Sequence, residues 1–149
     1  MLLKNYIPAH AGKLEKISVT PITEPFVTNI LWIQLLSYEK GRKKISRKRH
    51  EHSFFEVHFV MEGNVKYTTD RGSFSVGEGK GFLSSPETAH TITDISENLI
   101  KISLAFLPRE DSFLYKELCR IGAFSFDISA DMLRCFEDIL DETGKKSVF

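Results

Sequence analysis

Between about Val27 and Leu107 the chain alternates short apolar runs with turn residues. The period of two marks half-buried strands. The pattern predicts strands at Val27–Tyr38, Ile45–His50, Phe54–Glu62, Asn64–Thr69, Ser73–Val76, Gly81–Ser84, His90–Asp94 and Leu99–Leu107. Lys40-Gly41, Glu62-Gly63, Asp70-Arg71-Gly72, Gly77-Glu78-Gly79 and Ser85-Pro86 supply the turns between them. Many short strands at even spacing point to a sandwich or barrel.

After Pro108 the period changes to that of a helix. Asp111 or Ser112 is placed to cap, Leu114, Leu118 and Ile121 recur at helical spacing, and Gly122 is placed to stop. A second helix is expected from about Ser129 to Thr143, with Met132, Phe136, Ile139 and Leu140 as its stripe and Gly144 as its end. That stripe reads as core on one edge and as a two-fold contact on the other. Residues 1–25 carry Pro8, Pro21 and Pro25 and read as an arm or edge segments. The division expected is an arm over 1–25, a β-barrel over 26–107 and a helical segment over 108–149.

Composition narrows the function classes. The 149 residues are 42% hydrophobic and 27% charged with a formal net charge of zero, so no global field draws the chain toward nucleic acid or membrane. Cys119 and Cys135 stand apart and read as cytoplasmic thiols. No stretch approaches the roughly 18 apolar residues of a membrane span, and the N-terminus lacks a signal-peptide run. A soluble cytoplasmic protein is expected. Lys40, Arg42, Lys43, Lys44, Arg47, Lys48 and Arg49 form a basic run. With no interleaved aromatics it reads as a solvated hairpin rather than a nucleic-acid patch, or as a partner for Glu137, Asp138, Asp141 and Glu142.

The chemistry concentrates in Arg49-His50-Glu51-His52-Ser53-Phe54-Phe55-Glu56-Val57-His58. In one strand His50, His52, Phe54, Glu56 and His58 share a face, and Phe55, Val57, Phe59 and Met61 share the other. Imidazoles and a carboxylate on one face suit a transition metal such as Zn, Fe, Mn, Ni or Cu. They equally suit a polar lining that bonds an organic ligand or internal water. His58 reads as an inward residue bonded to a neighbour, within reach of a ligand. No glycine-rich phosphate loop, Cys-x-x-Cys or nucleophile elbow is present.

His50-x-His52, three residues, Glu56, six residues, Gly63 resembles the first cupin motif. Gly79, five residues, then Ser85-Pro86-Glu87-Thr88-Ala89-His90 resembles the second, with Ser85 at the usual Pro and Glu87 at the usual Gly. The wider context resembles the N-terminal ligand-sensing domain of AraC-type transcription regulators. The basic run before His50, the Phe54-Phe55-Glu56 triplet, Gly79-Lys80-Gly81-Phe82-Leu83-Ser84-Ser85-Pro86 and the two trailing helices carry that resemblance, over about 26–144.

The resemblance implies a cupin jelly-roll β-barrel followed by two amphipathic helices. It implies a metal set of His50, His52, Glu56 and His90. It implies a homodimer through the C-terminal helices, and DNA contact only through a C-terminal helix-turn-helix pair that this sequence lacks, as a truncated piece or a stand-alone sensor would. The function expected is a non-enzymatic sensor of a small polar metabolite, such as a sugar, lined by Trp32, His50, His52, Phe54, Glu56, His58, Tyr67, His90 and the Leu99–Leu107 strand. The alternative is a metal-dependent cupin enzyme of dioxygenase or isomerase type.

Overall fold

A computed structural model describes residues 17–19, 28–38 and 48–146. Two antiparallel sheets face one another. The larger has the order β1 (Ile17–Val19), β2 (Thr28–Ser37), β8 (Ile100–Pro108), β3 (Phe55–Glu62), β6 (Lys80–Ser84) and β9 (Ala123–Asp127). The smaller has the order β5 (Gly72–Gly77), β4 (Asn64–Thr69) and β7 (His90–Ile95). Helix α1 spans Phe113–Ile121 and α2 spans Ala130–Lys146. This is the predominantly β, two-sheet architecture that the turn spacing predicts, and the jelly roll that the resemblance implies.

The register of the larger sheet sorts its side chains into two layers. Val57 lies opposite Leu104 and Leu83, and Phe59 opposite Ile102. These residues join Ile33, Leu35, Phe55, Met61 and Phe136 in the core under the helices. On the other face, Glu56 lies opposite Ala105 and Ser84, and His58 opposite Ser103 and Phe82. That face meets the smaller sheet, whose Val65, Tyr67, Val76 and Ile92 form a second core with Val60, Phe82 and Leu99. Tyr67 stacks on Phe82 with ring centroids 4.3 Å apart.

Most strands lie within a residue or two of their predicted bounds, and Asn64–Thr69 coincides with β4. Four differences have physical causes. First, Lys48 and Arg49 are not in a strand, and His50 makes only an isolated bridge to His90 before β3 begins at Phe55; the rest of the predicted strand, residues 45–47, lies outside the described residues. Second, Ala123–Asp127, read as part of the helical tail, is a strand that pairs with the free edge of β6. Its Phe126 ring covers Gly81, where a Cβ would come within 2.3 Å of the ring.

Third, α1 packs through Tyr115, Leu118 and Cys119, while Leu114 and Ile121 of the predicted stripe are 37% and 38% exposed. Ser112 caps this helix, accepting from the Tyr115 amide at 3.1 Å, and Gly122 ends it in the left-handed region that favours glycine. Fourth, α2 runs through Gly144 to Lys146 rather than stopping there. Within its predicted stripe, Phe136 is buried against Phe59 with centroids 4.4 Å apart, and Met132 is 41% exposed. The side chains of Ile139 and Leu140 lie outside the described residues. No helix among the described residues is long and apolar enough to cross a membrane.

Candidate metal and ligand centre

His50 and His90 exchange backbone hydrogen bonds, His50 N–H to the His90 carbonyl at 3.1 Å and His90 N–H to the His50 carbonyl at 2.9 Å. This bridge joins the segment before β3 to the start of β7 and brings the two motifs edge to edge. Glu56 enters from β3. One donor atom from each of His50, His52, Glu56 and His90 lies within 4.8 Å of all the others.

The loop between β6 and β7 sets the approach. Glu87, at the position the second motif usually gives to glycine, has φ of 60°. The glycine-like turn is therefore kept by a residue that bears its strain. The Glu87 amide donates to the His52 carbonyl at 2.9 Å, tying the loop to the first motif. Beside it, Ser85 Oγ and Thr88 Oγ1 are 2.9 Å apart.

The imidazoles are held from behind. His50 Nδ1 lies 2.9 Å from the Lys48 carbonyl and His90 Nδ1 lies 3.2 Å from the Thr88 carbonyl. A carbonyl only accepts, so each Nδ1 carries the proton and each Nε2 presents its lone pair to the centre. Such backing is usual for metal-ligating histidines.

Glu56 Oε2 lies 3.2 Å from His52 Nε2, 3.3 Å from His58 Nε2 and 3.4 Å from His90 Nε2. Yet Glu56 Oε2, His52 Nε2, His58 Nε2 and Tyr67 Oη are buried atoms without an aligned hydrogen bond. Glu56 Oε2 and His52 Nε2, close together yet not bonded to one another, fit a shared centre between them. Ligands about 2.0–2.2 Å from one ion stand about 3–4.4 Å apart, so a small contraction of this set encloses a divalent ion. Glu56 and His90 side chains are 7% and 2% exposed, but His52 is 26% exposed, which leaves the centre open on one side.

Electrostatics favour a deprotonated Glu56 and a neutral His52. Burial pushes the Glu56 carboxyl up, but His58, His90 and His52 outweigh it and hold it well below the usual carboxylate range. Burial lowers the His52 imidazole despite Glu56 beside it. Burial, together with the Lys101 ammonium, lowers His58 to about 4. Burial lowers Lys101 to about 8, and burial with Glu56 nearby raises the Tyr67 hydroxyl well above its ordinary value.

The remaining expected lining residues fall into two places. Phe54 stacks on His52 with centroids 4.6 Å apart, and Trp32 meets Phe54 edge-on at 6.2 Å, so these two form an aromatic wall on the open side. His58 and Tyr67 lie deeper, with 4% and 0% exposure. His58 Nδ1 contacts Lys101 Nζ at 2.8 Å and Ser103 Oγ at 2.9 Å. Sequence reasoning pointed to the strand that carries Lys101 and Ser103 without singling them out. Their alternation with Ile100, Ile102 and Leu104 was the available signal, but it also describes a strand with one face in water.

Lys48 and Arg49, the described end of the basic run, are exposed, and Arg49 pairs with Asp70 at 2.7 Å. Lys40–Arg47 lie outside the described residues.

Residues 34–110 match the family described as the AraC-like ligand binding domain. The chain belongs to that family. No curated relative matches it. Among solved structures, YhaK from Escherichia coli superposes on the AraC-like domain with a TM-score of 0.54 at 11% identity. The alignment covers 86% of this chain but only 55% of YhaK, so the domain spans about half of that protein's length. Similarity also extends to apo ToxT from Vibrio cholerae, with a TM-score of 0.49 and 10% identity over 76% of this chain and 47% of that one. For oxalate decarboxylase from Bacillus subtilis, which has Mn(II) centres, the TM-score is 0.41 at 18% identity, over 61% of this chain and 29% of that one. The YhaK likeness shows a shared fold.

Proposed function

We propose that this AraC-like domain senses a small polar molecule at a divalent transition-metal centre formed by His50, His52, Glu56 and His90. The convergence of these four donors on one point, open toward His52, carries the reading. Zn, Fe, Mn and Ni all suit the donor set. When bound, such an ion supplies a Lewis-acid position for an oxygen atom of the effector. Trp32 and Phe54 offer stacking faces beside it, which suits a sugar or another compact polar metabolite.

The loop at residues 85–89 is the route by which occupancy reaches the helices. It bonds His52 through Glu87 and His90 through Thr88, and the Ser85 amide donates to the Gly122 carbonyl at 2.8 Å, at the end of α1. Arg71 Nη1 donates to the neighbouring Ile121 carbonyl at 2.7 Å. Phe113 on α1 is 80% exposed and, with Leu114 and Ile121, offers an apolar surface for a second copy of the domain. Contact with DNA belongs to a further domain in a longer protein.

Metal analysis of the purified chain and a thermal-unfolding screen against sugars and related metabolites test this reading. Near-stoichiometric metal and a higher Tm with a particular metabolite, without turnover, support it, because a ligand that binds only the folded state stabilises it. Absence of metal uptake with no stabilising ligand overturns it. The same donor set with an open position also serves a metal-dependent cupin enzyme, and turnover of a stabilising compound establishes that second reading instead.

A further inference from the structure

Lys101 is 5% exposed near the start of β8, opposite Val60 and beside Tyr67, whose ring centroid is 5.8 Å from Nζ. A buried ammonium needs compensation, and an apolar residue would suit this position better unless the charge has a task. Its nearest polar neighbour is His58 Nδ1, at 2.8 Å. An ammonium has three donors and no acceptor, so His58 Nδ1 must be the acceptor. A neutral His58 then carries its proton on Nε2, the atom 3.3 Å from Glu56 Oε2. The same face of the sheet thus holds an ammonium, an imidazole and a carboxylate in file, with Ser103 Oγ also against His58 Nδ1 at 2.9 Å.

We propose that Lys101 is a positioning residue for the centre: by occupying His58 Nδ1 it fixes the Nε2–H tautomer and sets that N–H 3.3 Å from Glu56 Oε2, where a small rotation of the ring aligns it to hold the carboxylate in place. This rests on the proposed metal reading of His50, His52, Glu56 and His90. It excludes His58 as a fifth ligand, because the nitrogen nearest the centre bears a proton. Outer-shell partners of this kind typically change metal affinity about 10–100-fold.

Two measurements test it. Long-range proton–nitrogen NMR of the imidazoles in the metal-free protein reads the tautomer directly. The expected result is His58 protonated at Nε2 alone, with Lys101→Met releasing it to a mixture of tautomers. His58 protonated at Nδ1 in the unaltered chain overturns the proposal. Cobalt(II) titration then reads affinity. Lys101→Met should weaken binding about 10–100-fold. His58→Gln keeps an amide donor for Glu56 and an acceptor for Lys101, and should stay within a few-fold of the unaltered chain. His58→Leu should lose as much as Lys101→Met. Unchanged affinity in a folded Lys101→Met protein overturns the proposal, as does a His58→Gln loss equal to that of His58→Leu. If the unaltered chain takes up no metal, the metal reading fails, and the tautomer measurement still decides the role of Lys101.

Discussion

His50 and His90 are joined backbone to backbone by a reciprocal pair of hydrogen bonds, and their rings lie 4.4 Å apart. The two halves of the donor set are therefore placed by main chain, and their side chains are left to serve the centre. His90→Ala should keep the bridge and the fold while removing a donor. Metal at about 100 times its Kd stabilises a folded protein by about 2.7 kcal/mol. That increment should appear in the thermal unfolding of the unaltered chain with Zn(II) or Mn(II) and disappear in His90→Ala. An equal increment in both proteins would place the metal elsewhere.

Glu87 occupies a glycine-like conformation at the strap between the motifs. Glu87→Gly should raise stability by up to about 1 kcal/mol, since the left-handed strain relieved outweighs the unfolded-state entropy that glycine adds. Urea unfolding checks the gain. A loss of stability would show that the Glu87 side chain contributes more than its backbone costs.

His58 gives the metal-free protein an acid-sensitive window. Its imidazole falls from 6.5 in an exposed setting to about 4 when folded. Between those values the unfolded chain binds a proton that the folded chain refuses, so stability rises with pH and is lost as pH falls from 6.5 toward 4. The full window corresponds to about 3 kcal/mol. Glu56, held low in the fold, extends the loss below its ordinary 4.5. Urea midpoints measured with chelator from pH 8 to 4 should show this decline, and His58→Gln should flatten its upper part. A midpoint constant down to pH 5 would contradict the burial of neutral His58.

Phe136 is a buried contact by which α2 covers the outer face of the larger sheet, 4.4 Å from Phe59 and 8% exposed. Phe136→Ala should cost about 3 kcal/mol, the lower part of the range for a buried aromatic. The denaturant midpoint should fall while metal affinity stays unchanged, because Phe59 and Glu56 face opposite sides of β3. Coupled loss of both would mean the outer core positions the donors.

Much of this arrangement was legible in the chain. Alternation along Phe55–Glu62 assigned Glu56 and His58 to one face and Val57 and Phe59 to the other, because a strand has no other way to dispose neighbouring side chains. Resemblance to the two cupin motifs, rather than periodicity, brought His90 together with His50, His52 and Glu56. Tertiary structure decided the rest. His50 and His52 reach the centre from an irregular segment, so their placement depends on the bridge to His90 rather than on strand parity. Ala123–Asp127 became a strand only because β6 offered an unpaired edge. Lys101 and Ser103 look like a wetted face in sequence, yet a second sheet covers them. Periodicity is a local property of the backbone and survives in the sequence. What covers a face, and which polar atom meets which, depends on residues far apart along the chain, and only folding brings those together.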